Sequence, residues 1–194
     1  IAHQERTRAP FEAATLSFWD ASQRPDRWAV DVGAYTGLFA IRAARLGFGA
    51  VAFEPNLHAY HRMRQNIDLN EVSVITAPLA LGARSGFGKL DSPNGRPLTS
   101  ASRLTHQGGG VEVPVASLDE ILASHMRVSV IKIDVEGSEL GVLLGALRTL
   151  IRDRPNLILE ANTNGAKSDI YRFLGTDRWR FEDADSRNIL VEPI

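Results

Sequence analysis

The sequence predicts an α/β protein built on an open, doubly wound, mostly parallel sheet with an antiparallel strand at its C-terminal end. Three observations carry this. Strand-like and helix-like segments take turns from Trp28 onward, the pattern of parallel βαβ units with right-handed crossovers. Four strand-like runs end in an acid, at Asp31, Glu54, Asp134 and Glu160. The last two runs, 178–182 and 188–191, read as a closing β-hairpin.

In chain order, 28–32 is a short apolar run with Asp31 near its end and Gly33 just after, as in a buried parallel strand. The segment 38–46 places Leu38, Ile41 and Leu46 at helical spacing, with Gly47 as its stop. A second strand, 50–53, ends at Glu54. Asn56 is the N-cap of a helix whose face is Leu57, Tyr60, Met63 and Ile67. A third strand is predicted at 72–76. The stretch 79–110 is rich in Gly and Pro, with a short strand at 86–91 and loops elsewhere. Another strand, 111–115, precedes a short helix capped by Ser117. The most apolar strand is 128–134, V-S-V-I-K-I-D. One long helix is expected over 138–151, with Leu140, Leu143, Leu144, Leu147, Leu150 and Ile151 on one face. A strand at 156–160 and a helix at 166–174 complete the series. The expected organisation is an N-terminal helical segment, 1–27, and a single domain, 28–194, with a loop-rich insertion at about 83–114.

At 194 residues and 44% hydrophobic composition, one globular domain is the expectation. Lys and Arg number 22 against 23 Asp and Glu, a net charge of −1. That balance gives no long-range field for nucleic acid or an anionic membrane, so neither is an expected partner. Cysteine is absent, which excludes disulfides, thiolate metal sites and a cysteine nucleophile, and fits a reducing compartment. The polar stretch 1–10 is no signal peptide, and a cytoplasmic location is expected. A chain that starts at Ile1 and not Met reads as trimmed.

In open α/β sheets ligands bind outside the carboxyl ends of the strands, and here acids converge on that edge. A strand end is an expensive place to leave a carboxylate without a partner or water. The first strand–helix turn reads Asp31-Val32-Gly33-Ala34-Tyr35-Thr36-Gly37, and Glu54 follows 21 residues after Gly33. That spacing suits a carboxylate accepting both hydroxyls of a ribose. The glycine spacing G-x-x-x-G is not the pyrophosphate form G-x-G-x-x-G. An acid directly before the turn suits a ligand bearing an ammonium or sulfonium better than a pyrophosphate. The plainer reading is that Gly33 and Gly37 only make a tight connection.

These residues resemble a known family. V-D-V-G-A-Y-T-G-L-F-A is similar to the first motif of S-adenosylmethionine-dependent methyltransferases. F-E-P-N with Asn66 and Asn70, A-L-G at 80–82, and I-K-I-D-V-E-G-S-E-L at 131–140 resemble the FkbM-type members. The resemblance spans about 28–160. It implies a Rossmann-like fold, S-adenosyl-L-methionine as donor, and O-methylation of a small hydroxyl acceptor, commonly a sugar or secondary metabolite. Residue by residue, it implies that Asp31, Gly33, Ala34, Tyr35 and Gly37 form the loop around the methionine part. Glu54 would bind the ribose, with Pro55 and Asn56 beside it, and Ala80 would lie near the adenine. Asp134 and Glu136 match the acidic motif beside the methyl group. Tyr35 departs from the usual Asn, and Ala83 from a frequent Asp.

Methyl transfer from an activated donor needs alignment and, for an alcohol, a base. Asp134 is the first candidate for that base and Glu136 the second; Asp134 as a contact of the donor's ammonium group stays open. Glu139 reads as an acid in a first helical turn. No metal is assigned, although Asp134, Glu160 and Asn162 supply hard oxygen ligands of the kind Mg²⁺ takes in some O-methyltransferases. His58 and His61 read as an exposed helix face, and His106 as a loop residue. Arg96, Ser100, Ser102 and Arg103 fall in the segment 91–110, the candidate acceptor lid. The aromatics of 11–19 read as core or oligomer contacts, and a homo-oligomer stays open. The rival readings are a nicotinamide-dependent dehydrogenase and a non-catalytic S-adenosylmethionine-binding or scaffold protein.

Overall fold

The computed structural model describes residues 13–91, 103–105 and 110–194. The remainder of the N-terminal segment, and Arg96, Ser100, Ser102, His106 and the side chain of Arg103, lie outside the described residues.

Seven strands form the main sheet: β1 (Trp28–Val32), β2 (Gly49–Phe53), β3 (Ile75–Ala77), β8 (Val128–Ile133), β9 (Asn156–Glu160), β10 (Trp179–Asp183) and β11 (Asn188–Pro193). Their order is β10-β11-β9-β8-β1-β2-β3. The five strands from β3 to β9 are parallel, and β11 runs antiparallel to both β9 and β10. The final strand therefore lies inside the sheet, and β10 forms the edge. The expected α/β class, the parallel centre and the antiparallel closing strand are all present.

Helices cover both faces, as the connections of a parallel sheet require. On one face α1 (Ala13–Ala21), α2 (Leu38–Arg45) and α3 (Leu57–Leu69) bury Trp19, Phe39, Ile41, Met63 and Ile67 against the strands. Trp19 meets Phe39 edge to face, with centroids 5.4 Å apart. The aromatic of the N-terminal helix is thus core. On the other face lie α4 (Leu118–Ile121), α5 (Glu139–Leu144), α6 (Leu147–Asp153) and α7 (Asn164–Leu174). They bury Leu118, Val142, Leu143, Leu150 and Ile170. Asn56 caps α3 as expected, accepting from the N–H groups of His58 and Ala59 at 3.0 and 3.4 Å.

Three local expectations are corrected. The third strand starts later than 72, at Ile75, because Glu71 turns the chain through a left-handed conformation after α3. The single helix over 138–151 is two helices broken at Gly145–Ala146. The break has two causes. A Cβ on Gly145 would lie 2.0 Å from the carbonyl oxygen of Gly82, so the backbones meet there. The carboxylate of Asp119 then accepts from the N–H groups of Arg148 and Thr149 at 2.7 and 2.9 Å and starts α6 afresh. The break rotates Leu144, Leu147 and Ile151 outward, so all three are exposed and do not share the buried face of Leu143 and Leu150.

The stretch expected to be loop-rich holds a second sheet of four strands, ordered β4-β7-β5-β6. It comprises β4 (Ala80–Leu81), β5 (Gly86–Asp91), β6 (Arg103–Thr105) and β7 (Val111–Ala116). Ala80, Leu90, Val113 and Val115 form its own small core with Leu104 packed against them. Among the described residues no helix is long and apolar enough to cross a membrane.

Candidate active site

A cavity of about 350 Å³ opens at the carboxyl ends of β1, β2, β8 and β9. Of the residues expected there, Asp31, Gly33, Ala34, Tyr35, Glu54, Pro55, Ala80, Asp134 and Glu136 all line it. Gly37 and Asn56 do not: Gly37 caps α2 and Asn56 caps α3. Glu160 lines the cavity, whereas Asn162 is exposed and does not line it.

The turn after β1 is held by backbone contacts. Gly33 and Ala34 both donate to the carbonyl of Phe53 at 3.0 Å. Gly33 has φ +75, and a Cβ there would sit 1.9 Å from the carbonyl oxygen of Asp134. Only glycine lets the loops after β1 and β8 approach this closely. Asp31 is buried, and one of its oxygens accepts from the N–H of Ala40 in the first turn of α2 at 3.2 Å.

Glu54 is buried at the end of β2 and holds the rim of the turn. Its two oxygens accept from the N–H groups of Tyr35 and Asn56, each at 2.8 Å. Burial pushes its carboxyl up to about 7, the charges of Asp31 and Asp134 add to that, and the two N–H bonds pull the other way. Tyr35 pairs its N–H with this acid from a left-handed backbone, φ 48. That conformation disfavours a side chain by roughly 1–2 kcal/mol and marks local strain.

After β8 the chain supplies a second acidic group. Lys132 is buried, and its Nζ lies 2.8 Å from Asp134 Oδ2 and 4.9 Å from the ring centre of Phe39. Burial raises the Asp134 carboxyl, but the Lys132 charge and hydrogen bond outweigh it and leave Asp134 below its ordinary value. Glu160, at the end of β9, faces Asp134, and Arg187 Nη1 from the β10–β11 turn lies 3.3 Å from its Oε1. Burial first, and Asp134 second, push the Glu160 carboxyl up to about 8. Glu136 takes a left-handed backbone, φ 55, and its carboxyl is raised by burial and by Asp134. Asp134, Glu136 and Glu160 each offer an oxygen within 4.8 Å of one another. Glu139, as read from its place in a first turn, holds structure: it accepts from Gly137 and Val135 at 2.9 and 3.4 Å.

Part of the lining is apolar: Leu79 precedes the small sheet, and Ala80, Leu81, Leu90 and Leu104 come from it. Sequence reasoning found Ala80 of this apolar lining but missed Leu79, Leu81, Leu90 and Leu104, and also Lys132 and Arg187. A lysine inside the most apolar strand, two residues before Asp134 and so on the same side of the strand, was the available signal for Lys132. Acidic and apolar side chains lining one cavity suit a ligand with both a positive centre and an apolar part.

The sequence matches the methyltransferase FkbM domain over residues 31–185. It is 33% identical over 125 residues to the hexuronic acid methyltransferase AglP of Haloferax volcanii, covering 62% of this chain and 50% of that protein. Among solved structures, a methyltransferase FkbM from Methylobacillus flagellatus superposes with a TM-score of 0.61 at 18% identity, covering 93% of this chain and 47% of the other. A tRNA (uracil-54, C5)-methyltransferase of Pyrococcus abyssi, solved with S-adenosylhomocysteine, gives 0.52 at 16% identity, covering 92% of this chain and 37% of that one. The chain thus spans about half the length of the relative and of the FkbM structure that it matches.

Proposed function

The chain belongs to the FkbM methyltransferase family, and on that premise we propose that it transfers a methyl group from S-adenosylmethionine to a hydroxyl of a sugar or secondary metabolite. The observation that carries the reading is that the acidic strand ends and the apolar residues Leu79, Leu81, Leu90 and Leu104 line one cavity. The relative that methylates a hexuronic acid supports a sugar-like acceptor.

In this reading Asp31, Gly33, Ala34, Tyr35 and Glu54 hold the donor, with Pro55 and Ala80 beside its base and ribose. Glu54 turns both oxygens toward the rim, where a ribose diol competes for them with the N–H groups of Tyr35 and Asn56. Leu79 and Leu81 exclude water from the ring. The bound donor supplies an activated methyl group: the acceptor oxygen bonds to its carbon, the carbon–sulfur pair returns to sulfur, and the hydroxyl proton is left over. Asp134 is the group that takes that proton. It is charged at neutral pH and stands at the cavity floor, and Glu136 is next to it. A base in hydrogen-bond reach contributes about 10²–10⁴ in rate. We take residues 28–194 as one domain, with α1 packed onto it through Trp19.

The test is a screen of sugar and polyol acceptors with the methyl-labelled donor, read by mass spectrometry. Label transferred to a hydroxyl oxygen is the expected result. Binding of NADH without binding of S-adenosylmethionine would overturn the reading in favour of a dehydrogenase.

A further inference from the structure

Asp134 and Glu160 each offer an oxygen within 4.8 Å of the other; like charges this close favour a proton on one of the pair, and the surroundings decide which. Here the surroundings are unequal. Asp134 is paired to Lys132 at 2.8 Å, and the Lys132 side chain is only 6% exposed. Glu160 is paired to Arg187 at 3.3 Å, and the Arg187 side chain is 56% exposed. Attraction grows as distance and local dielectric fall, so the sheltered Lys132 pair outweighs the solvent-screened Arg187 pair. The Asp134 side chain also keeps 29% exposure against 4% for Glu160, which places the costlier burial of charge on Glu160. Only one oxygen of Glu160 reaches Arg187; Oε2 is buried with no hydrogen-bond partner among the described residues.

We propose that Lys132 is a positioning residue that assigns the negative charge to Asp134 and leaves the proton on Glu160. Its action on the site runs through Asp134, to which it is paired. The assignment rests on the methyl-transfer reading only for its purpose, which is to keep a charged base under the acceptor hydroxyl while its neighbour stays neutral. The other charges around the pair do not reverse it. Asp31 on β1 and Glu54 on β2 line the same cavity, and Asp31 and Asp134 both raise Glu54. Glu136 and Glu139 come from the turn and helix after β8, and Asp134 raises both. Lys132 is the sheltered cation among them, held against Phe39 of α2. The positions of the two raised and lowered carboxyls agree with this assignment.

The experiment needs neither donor nor acceptor, so its outcome is separate from that of the methyl-transfer screen. Side-chain carboxyl carbons are labelled with ¹³C and titrated by NMR, with Asp134→Asn and Glu160→Gln supplying the assignments. In the wild type, Asp134 stays charged well into the acid range, and Glu160 holds its proton past neutrality. In Lys132→Met, with its melting temperature recorded alongside, the Asp134 midpoint rises by about one pH unit or more. Lys132→Arg returns it toward the wild-type value. An unchanged Asp134 midpoint in folded Lys132→Met overturns the proposal. So does a wild type in which Asp134 keeps the proton and Glu160 the charge, a result that stands even if Lys132→Met does not fold.

Discussion

Two buried acids flank β9 with opposite electrostatics, Asp153 at the end of α6 before it and Glu160 at its carboxyl end. On the amino side, Asp153 has a fully buried side chain whose oxygens are saturated. Arg127 donates at 2.9 Å, Arg152 at 2.8 and 2.6 Å, and the N–H of Val128 at 3.0 Å. Burial raises its carboxyl, but these donors outweigh burial and leave it below its ordinary value. At the carboxyl end, Glu160 has one exposed arginine for company and is pushed up to about 8. The amino edge of the sheet spends its charges on itself. The carboxyl edge leaves Glu160 Oε2 buried with no hydrogen-bond partner among the described residues, and perturbed carboxyls of this kind cluster at functional sites.

The comparison predicts that changes at the two edges separate activity from stability. The largest effect is Asp134→Asn: turnover per folded molecule falls by about 10²–10⁴, as steady-state rates will show, while calorimetry records separately what the buried Lys132 loses with its carboxylate partner. Next is Asp153→Ala. It removes a buried acceptor of several charged donors and lowers unfolding free energy by about 3 kcal/mol in urea titrations. Its affinity for the donor, measured on the folded fraction, stays at the wild-type value.

Glu54→Gln comes third and tests the pH signature. The folded carboxyl is raised from an ordinary 4.5 to about 7, so the folded state binds the extra proton between those values. Its contribution to stability is therefore full in acid and is lost as pH rises through about 7. Asp153 has the opposite sign: its contribution is present at neutral pH and lost on acidification. Urea titrations at about pH 5 and pH 8 will show Glu54→Gln gaining relative to the wild type at the higher pH. The smallest effect is at the surface. Breaking the Asp20–Arg42 pair with Arg42→Ala costs at most about 1 kcal/mol by the same titrations.

Features encoded in adjacent residues were legible in the sequence. The alternation of strands and helices, the Asn56 cap and the acids at strand ends are local patterns, and the fold class and most of the cavity lining follow from them. Features that depend on distant partners were not. Nothing near Gly145 announces that Gly82 and Asp119 will meet it, so one long helix was the natural reading of 138–151. The small sheet hides in a Gly-rich stretch because its strands pair over long separations, Leu90 with Leu104 and Phe87 with Pro114. Gly37 and Asn56 sit in motif positions yet serve helix ends. Arg187, from a turn far along the chain, reaches Glu160 only because β11 inserts beside β9.

The most direct measurement of the central claim is calorimetric titration of S-adenosylmethionine, and of its demethylated product, into the wild type and Glu54→Gln. Saturable binding of both ligands to the wild type is predicted, with affinity lowered by about tenfold or more in the variant, the loss expected for charged hydrogen bonds to a diol. No binding of either ligand, or equal affinity in the two proteins, would contradict the account.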